Sequence, residues 1–308
     1  MRAVVYDSYG GPDLLRTAEL PEPKVGPDSV LVRVRAAAVN PVDWKIREGR
    51  MDRLLDVFFP AIPGWDVAGV VERPGVAAPE FAPGDEVVGY VREDVVRRGT
   101  FAQKVAAPVR TLARRPAGLS WAQAAALPLA GLTAYQTLVH LLGVGGDDTV
   151  LVHGASGGVG SMAVQIAAAR GARVIGTASP RNHDYLRSLG AEPVAYGDGL
   201  AARVRSVAPD GVTAVLDLAG GAALAATPEV AAPGVRLVSV VDPRVTRYGG
   251  RYHFVRPDGA DLAALGELVE AGKLTVEVAR VFPLEQAANA YRFAEWGHTR
   301  GKIVVEVE

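Results

Sequence analysis

The sequence predicts an α/β protein of two domains: one built from short strands, the other a doubly wound parallel sheet. Three observations carry this. Residues 1–121 read as short β-rich segments between glycine and proline turns. From 122 onward, strands and helices alternate. Within that second region, a glycine-rich loop at 154–160 joins a β-branched run to an amphipathic helix.

In the first region the segments 3–6, 30–38, 67–72, 86–91 and 101–106 are β-rich. The turns Gly10-Gly11-Pro12, Gly26-Pro27-Asp28 and Pro83-Gly84-Asp85 separate them. Short strands so spaced suggest a barrel or sandwich, and helix signals are few. In the second region, helices are expected at 122–127, 132–142, 159–170, 181–189, 200–207 and 222–231. Strands are expected at 149–152, 173–178, 193–196, 214–218 and 235–241. Gly171 and Gly190 supply helix stops. After about 260 a helix (261–271), a strand (276–282), a helix (285–296) and a final strand (302–307) form a tail. Periodicity alone does not assign that tail to either domain.

Composition excludes several functions. The 33 basic and 34 acidic residues leave a net charge of −1, without the clustered basic surface that nucleic acid requires. Arg97-Arg98 and Arg114-Arg115 read as solvated surface. With no cysteine, neither a disulfide nor a thiolate-bound metal is possible, which fits the cytoplasm. Residues 1–10 do not resemble a secretory signal. The apolar stretch 122–144 is interrupted by Pro128, Gln123, Gln136 and His140, so it reads as buried helix rather than a membrane span.

The glycine loop is the strongest motif. Gly154-Ala155-Ser156-Gly157-Gly158-Val159-Gly160 follows the strand Thr149-Val-Leu-Val-His153. Glycines let the backbone turn tightly against a pyrophosphate. The helix that follows offers unpaired N–H groups and a positive dipole end. The end of the next strand then selects the cofactor. An NAD site places Asp or Glu there for the ribose hydroxyls. Here the chain reads Gly176-Thr177-Ala178-Ser179-Pro180-Arg181, and no acid appears before Asp184. Ser179 and Arg181 suit a 2′-phosphate instead, with Tyr196 adding a hydroxyl or a stacking face. NADPH is therefore the expected cofactor. The plainer reading of Arg181 is a surface residue on a helical turn.

Together with this loop, Asn40-Pro-Val-Asp43-Trp44-Lys45, Pro63-Gly64-Trp65-Asp66, Gly84-Asp-Glu-Val87, Leu129-Ala-Gly-Leu-Thr133, Asp217-Leu218-Ala-Gly-Gly221 and Gly301-Lys302-Ile-Val304 resemble one family across nearly the whole chain. It is the zinc-free quinone oxidoreductase branch of the medium-chain dehydrogenases/reductases, which includes quinone and enoyl reductases. The resemblance implies a GroES-like β-barrel catalytic domain from 1–121 with a C-terminal return at 263–308. A Rossmann NADPH-binding domain at 122–262 lies between them. It also implies a homodimer, a small-molecule substrate and a site in the cleft between domains. Zinc-dependent relatives carry Cys where this chain has Asn40 and His within the stretch matched by 64–66. Asp43 and Asp66 alone make a poor zinc site, so no metal is expected.

The resemblance also assigns roles. Asn40, Asp43 and Thr133 match positions near the reacting nicotinamide, and Lys45, at the pocket mouth, is a candidate to polarise a carbonyl or bind an acidic group. Asn40 before Pro41 is also an ordinary turn residue, Asp43 an ordinary helix cap, and Lys45 an ordinary surface lysine. Thr177, Leu218, Phe254 and Lys302 join the cofactor-binding set, with a barrel-edge lysine as the alternative for Lys302. Trp44, Trp65, Tyr248 and Tyr252 shape the substrate pocket. One departure matters: many relatives have a tyrosine shortly after the aspartate that assists protonation, and this chain has Lys45 and Arg50-Met51 there. Solvent, Lys45 and a loop tyrosine remain candidate proton donors. Hydride transfer to quinones or α,β-unsaturated carbonyls is the expected chemistry. A pathway-specific enoyl or imine reductase and a non-catalytic NADPH-binding sensor are the alternatives.

Overall fold

The structure is a computed structural model and describes residues 1–297 and 299–307; His298 lies outside them. It divides into two compact units. One comprises Met1–Leu129, Arg256–Glu270 and Val276–Glu308, the other Ala130–Val255 and Ala271–Thr275. The division after Leu129 falls eight residues beyond the 121/122 boundary read from composition, and five residues of the tail belong to the second unit.

In the first unit a seven-stranded sheet runs in the order Val278–Pro283, Lys302–Glu306, Ser29–Val39, Asp66–Pro74, Glu86–Tyr90, Leu112–Arg114, with Lys104–Pro108 also paired to Ser29–Val39. The eleven-residue strand Ser29–Val39 is its spine and is nearly all buried, with only Arg33 and Arg35 half-buried. Gly69 lies opposite Val34. A Cβ there would fall 2.7 Å from Val32 Cγ1, so only glycine lets the two strands close. The tail returns to this unit: Ile303 pairs with Val39 and Val305 with Ala37, antiparallel. Val32, Val34, Val67, Val87, Phe101, Tyr291 and Val305 belong to one buried cluster.

Several local expectations need correction. Helix Pro41–Arg47 appears in the region read as strands, capped by Asp43 rather than announced by periodicity. The strand expected at 101–106 is Lys104–Pro108. Strands Asp56–Ile62 and Val95–Arg98 pair in parallel as a separate two-stranded sheet; Pro60 in one and the arginines of the other masked them.

The second unit is a six-stranded parallel sheet, ordered Ala191–Ala195, Arg173–Ala178, Thr149–His153, Val212–Asp217, Ala231–Ser239, Arg251–Tyr252. In chain order these strands are 3-2-1-4-5-6, the doubly wound order expected of a Rossmann fold. The first strand lies between the second and the fourth, so strand order reverses beside His153, where such sheets bind nucleotides. The helix expected at 222–231 is two short pieces, Gly221–Ala225 and Thr227–Val230, because Pro228 interrupts it. The helix expected at 132–142 is Pro128–Tyr135, widened into a π-helical turn over Gln136–Leu141. There the Thr137 hydroxyl donates to Thr133 O at 2.6 Å, competing with the backbone for that carbonyl.

Candidate active site

In the second unit the loop after Thr149–His153 is held from the neighbouring strand. Gly154 N donates to Thr177 Oγ1 at 3.1 Å, and Ala155 N to Thr177 O at 3.0 Å. Gly154 adopts φ +72°, a conformation that favours glycine, and its Cα faces Leu218. At Gly160 a Cβ would fall 2.7 Å from Ala155 Cα and closer still to Gly154 O. The helix Gly158–Ala169 can therefore seat on the loop only through glycine. No side chain caps its first turn, which leaves N–H groups for an anion. Ser156, Gly157, Gly158 and Val159 are half-buried and accessible to a ligand.

Strands Arg173–Ala178 and Ala191–Ala195 pair Ala178 with Ala195, so Ser179 and Tyr196 leave the sheet side by side. Arg181 is exposed on the single turn Pro180–Asn182. Sequence reasoning missed Asn182, whose Nδ2 donates to Ser156 Oγ at 3.1 Å and lies 3.4 Å from Ser179 Oγ. It thus joins the phosphate loop to the adenosine end. Asp184, the next acid in sequence, is exposed and paired with Arg187 at 2.6 Å.

A row of polar residues crosses the sheet at its C-terminal rim. His153 lies opposite Asp217, and Asp217 opposite Ser239. His153 Nδ1 is 3.4 Å from Thr177 Oγ1. Asp217 accepts from Ala219 N, Gly220 N and Ser239 Oγ at 3.0, 2.8 and 2.7 Å, which fixes the loop that carries Leu218. Burial pulls the His153 imidazole down to about 4, against the opposing pull of Asp217, so it stays neutral at physiological pH. Tyr248 and Tyr252 are part-exposed after the fifth strand, and Phe254 is half-buried.

The first unit holds the other predicted group. Asn40 N donates to Asp43 Oδ2 at 2.7 Å, closing the helix Pro41–Arg47. The Asn40 side chain is turned inward: Nδ2 donates to Asp66 Oδ2 at 2.8 Å, and Oδ1 accepts from the Lys302 ammonium. Lys302 Nζ also donates to Val39 O at 3.1 Å and lies 3.6 Å from Asp66 Oδ2. Asp66 Oδ1 accepts from Leu129 N at 2.7 Å. The structure thus brings Asn40, Asp43 and Lys302 together around Asp66. Strand Lys302–Glu306 is not a sheet edge, since Val278–Pro283 and Ser29–Val39 flank it; the barrel-edge reading of Lys302 falls.

Burial raises Asp43 to about 8, helped by Asp66 and opposed by the Asn40 N–H, Lys302 and Arg47. Burial also raises Asp66, against Lys302 and its hydrogen bonds, and lowers Lys302 against both carboxylates. Lys45 and Trp44 stand half-buried on the capped helix, outside this cluster, and burial lowers the Lys45 ammonium. Trp65 is buried edge-on to Tyr90, at 6.0 Å between ring centroids. Thr133 is buried in helix Pro128–Tyr135.

Comparison with known proteins gives this geometry a context. Residues 26–117 match the alcohol dehydrogenase GroES-like domain family, and residues 189–305 the zinc-binding dehydrogenase family. The chain is 35% identical to an NADPH-dependent alkenal/one oxidoreductase of Arabidopsis thaliana, over 99% of this chain and 79% of the relative. Among solved structures, an NAD-dependent alcohol dehydrogenase superposes with TM-score 0.91 at 34% identity, over 100% of both chains. A quinone oxidoreductase from Coxiella burnetii gives 0.89 at 33%, over 100% of this chain and 99% of that one.

The zinc in one family name does not fit these residues. The chain has no cysteine, the Asn40 amide is engaged at both ends, and both Asp66 oxygens already accept hydrogen bonds. An ammonium stands within the set where a cation would bind. Among the described residues, no group of three or more His, Cys, Asp or Glu could hold a metal, and no helix is long and apolar enough to cross a membrane. With a glycine loop on a 3-2-1-4-5-6 sheet, a GroES-like match and relatives spanning the whole chain, the protein belongs to the zinc-free quinone oxidoreductase branch of the medium-chain dehydrogenases/reductases.

Proposed function

We propose that the protein is a zinc-independent reductase that passes a hydride from NADPH to quinones or α,β-unsaturated carbonyls. The observation that carries this reading is the end of strand Arg173–Ala178. Ser179 and Arg181 stand on a turn that Asn182 ties to the phosphate loop, and the next carboxylate in sequence, Asp184, is paired with Arg187. That chemistry suits a 2′-phosphate and lacks the acceptor a free ribose 2′-hydroxyl wants.

Bound NADPH supplies the hydride from its nicotinamide. The chain's own work is to hold and orient. The glycine loop receives the pyrophosphate, and Thr177 and Asn182 fix the loop from the next strand. The Asn40–Asp66–Lys302 network makes the barrel side rigid. Lys45, its pKa lowered by burial, is the group proposed to polarise the acceptor carbonyl. A quinone needs little more than this. An enone also needs a proton at carbon, from solvent or Lys45. Thr133, Leu218, Phe254, Trp44, Trp65, Tyr248 and Tyr252 complete the proposed cofactor and substrate walls. A cytoplasmic homodimer is part of the same reading, and cell fractionation with light scattering checks it.

The test follows NADPH oxidation by its nicotinamide absorbance against a panel of quinones and enones. Turnover is expected with NADPH and weakly with NADH. Arg181→Ala should raise KM for NADPH about tenfold, the loss of one charge-assisted phosphate contact, with kcat kept. Equal use of NADH would overturn the cofactor assignment. Tight NADPH binding with no acceptor on the panel would favour a narrow pathway reductase or a sensor.

A further inference from the structure

The segment Tyr196–Gly199 lies beside the proposed adenosine end of the nucleotide site and packs little of itself away. It links strand Ala191–Ala195 to helix Leu200–Val207, and all four of its residues are exposed. Two of them, Gly197 and Gly199, take positive φ of 90° and 74°. A Cβ on Gly197 would meet nothing within 4 Å. Such a segment has high conformational freedom and little packing to restrain it. Its backbone bonds to the helix are Leu200 N to Gly197 O at 3.0 Å and Arg203 N to Gly199 O at 3.1 Å.

Arg203 supplies the restraint. From one turn into that helix, its guanidinium donates to four consecutive carbonyls. Nε reaches Ala195 O at 2.9 Å and Nη1 reaches Asp198 O at 2.8 Å. Nη2 reaches Tyr196 O at 3.3 Å and Gly197 O at 3.1 Å. A guanidinium has five N–H donors in a rigid fork, so this clamp uses nearly all of them. Its partners are neutral carbonyls, and among the described residues no carboxylate forms an ion pair with it. The cation is therefore held without an ion pair against the backbone of Tyr196, a residue 52% exposed beside the exit of Ser179, with the Asp198 carboxylate exposed two residues on.

We propose that Arg203 is a positioning residue for cofactor selectivity: it clamps the Tyr196 segment and places a second positive charge at the 2′-phosphate end. The proposal rests on the NADPH reading and extends it to a residue that does not itself touch the cofactor. Two features point the same way. The clamp holds the backbone on both sides of Tyr196, so it sets where that side chain stands. A guanidinium that forms no ion pair favours an anionic ligand group, and the 2′-phosphate is what distinguishes NADPH from NADH at this edge.

The experiment measures binding of adenosine 2′,5′-bisphosphate and of 5′-AMP by calorimetry, for wild type, Arg203→Ala and Arg203→Lys, with thermal melts alongside. Wild type is expected to prefer the bisphosphate. Arg203→Ala should weaken the bisphosphate about tenfold while 5′-AMP changes less than about twofold. Arg203→Lys keeps the charge and gives up the fork, so it should lose part of the same selectivity, less than Arg203→Ala. A parallel loss for both nucleotides in Arg203→Ala would mark a merely structural residue and overturn the proposal. Full selectivity in either variant would overturn it too. Wild-type protein that binds both nucleotides alike would instead sink the NADPH reading, and the clamp's role with it.

Discussion

Asn40 Nδ2 donates to Asp66 Oδ2 at 2.8 Å, while the oxygen of the same amide accepts from Lys302. One small side chain thus joins a helix cap, the first residue of strand Asp66–Pro74 and the first residue of the C-terminal strand Lys302–Glu306. Its amide orientation follows from its partners, since the carboxylate can only accept and the ammonium can only donate.

Removing the cation should therefore be costly. Lys302→Met leaves the Asp66 charge buried and Asn40 Oδ1 without a donor, at an expected loss of about 3–5 kcal/mol in urea unfolding. The double variant Asp66→Asn/Lys302→Met should lose far less than the sum of its singles, because no charge remains to strand. Simple additivity would contradict the network.

Asp43, like Asp66, is raised by burial. Burial raises its folded pKa to about 8, well above the ordinary value near 3.9, so the folded chain keeps the proton while the unfolded chain releases it. Its contribution to stability is complete below about pH 4 and is lost as pH rises through about 8. Asp43→Asn should remove that decline, and its stability relative to wild type should improve across this window. Equal slopes for the two proteins would contradict the assignment.

His153 has the opposite sign. Its folded pKa of about 4 lies below the ordinary 6.5, so the unfolded chain takes up a proton that the folded chain refuses. Stability is complete above about pH 6.5 and falls as pH drops toward 4. His153→Asn should flatten this limb of the profile; an unchanged slope would assign the window to other groups.

Gly160→Ala tests the phosphate loop. The added methyl has no room against Ala155 Cα and Gly154 O, so the helix must shift. An overpacking loss of about 1–3 kcal/mol is expected, together with a clear loss of NADPH affinity by fluorescence titration. Gly157→Ala is the control for stability, since its nearest neighbour, Gly154 O, is 3.5 Å away. Matching stability losses in the two variants would contradict the packing argument.

Five strands of the parallel sheet were legible because they alternate with helices between glycine turns, and the phosphate loop because its glycines are required by close approach; the two-residue strand Arg251–Tyr252, with no apolar run, was not. Asn182 and Arg203 were not legible: each acts through a carbonyl or hydroxyl that sequence spacing does not announce. Lys302 was visible as a residue but not as a partner of Asn40, since 262 positions separate them and only the pairing of Ile303 with Val39 brings them together. Strand Asp56–Ile62 was hidden by Pro60, and the end of helix Pro128–Tyr135 by the Thr137 hydroxyl.

The most direct test of the reductase reading is the fate of the hydride. Protein treated with a strong chelator is given NADPH deuterated at nicotinamide C4 on either face, with an α,β-unsaturated ketone, and the product is examined by mass and NMR spectroscopy. The account predicts undiminished turnover after chelation, with one deuterium delivered to the β-carbon from one face of the cofactor. Activity that vanishes with the chelator and returns with zinc, or product without deuterium from either face, would contradict it.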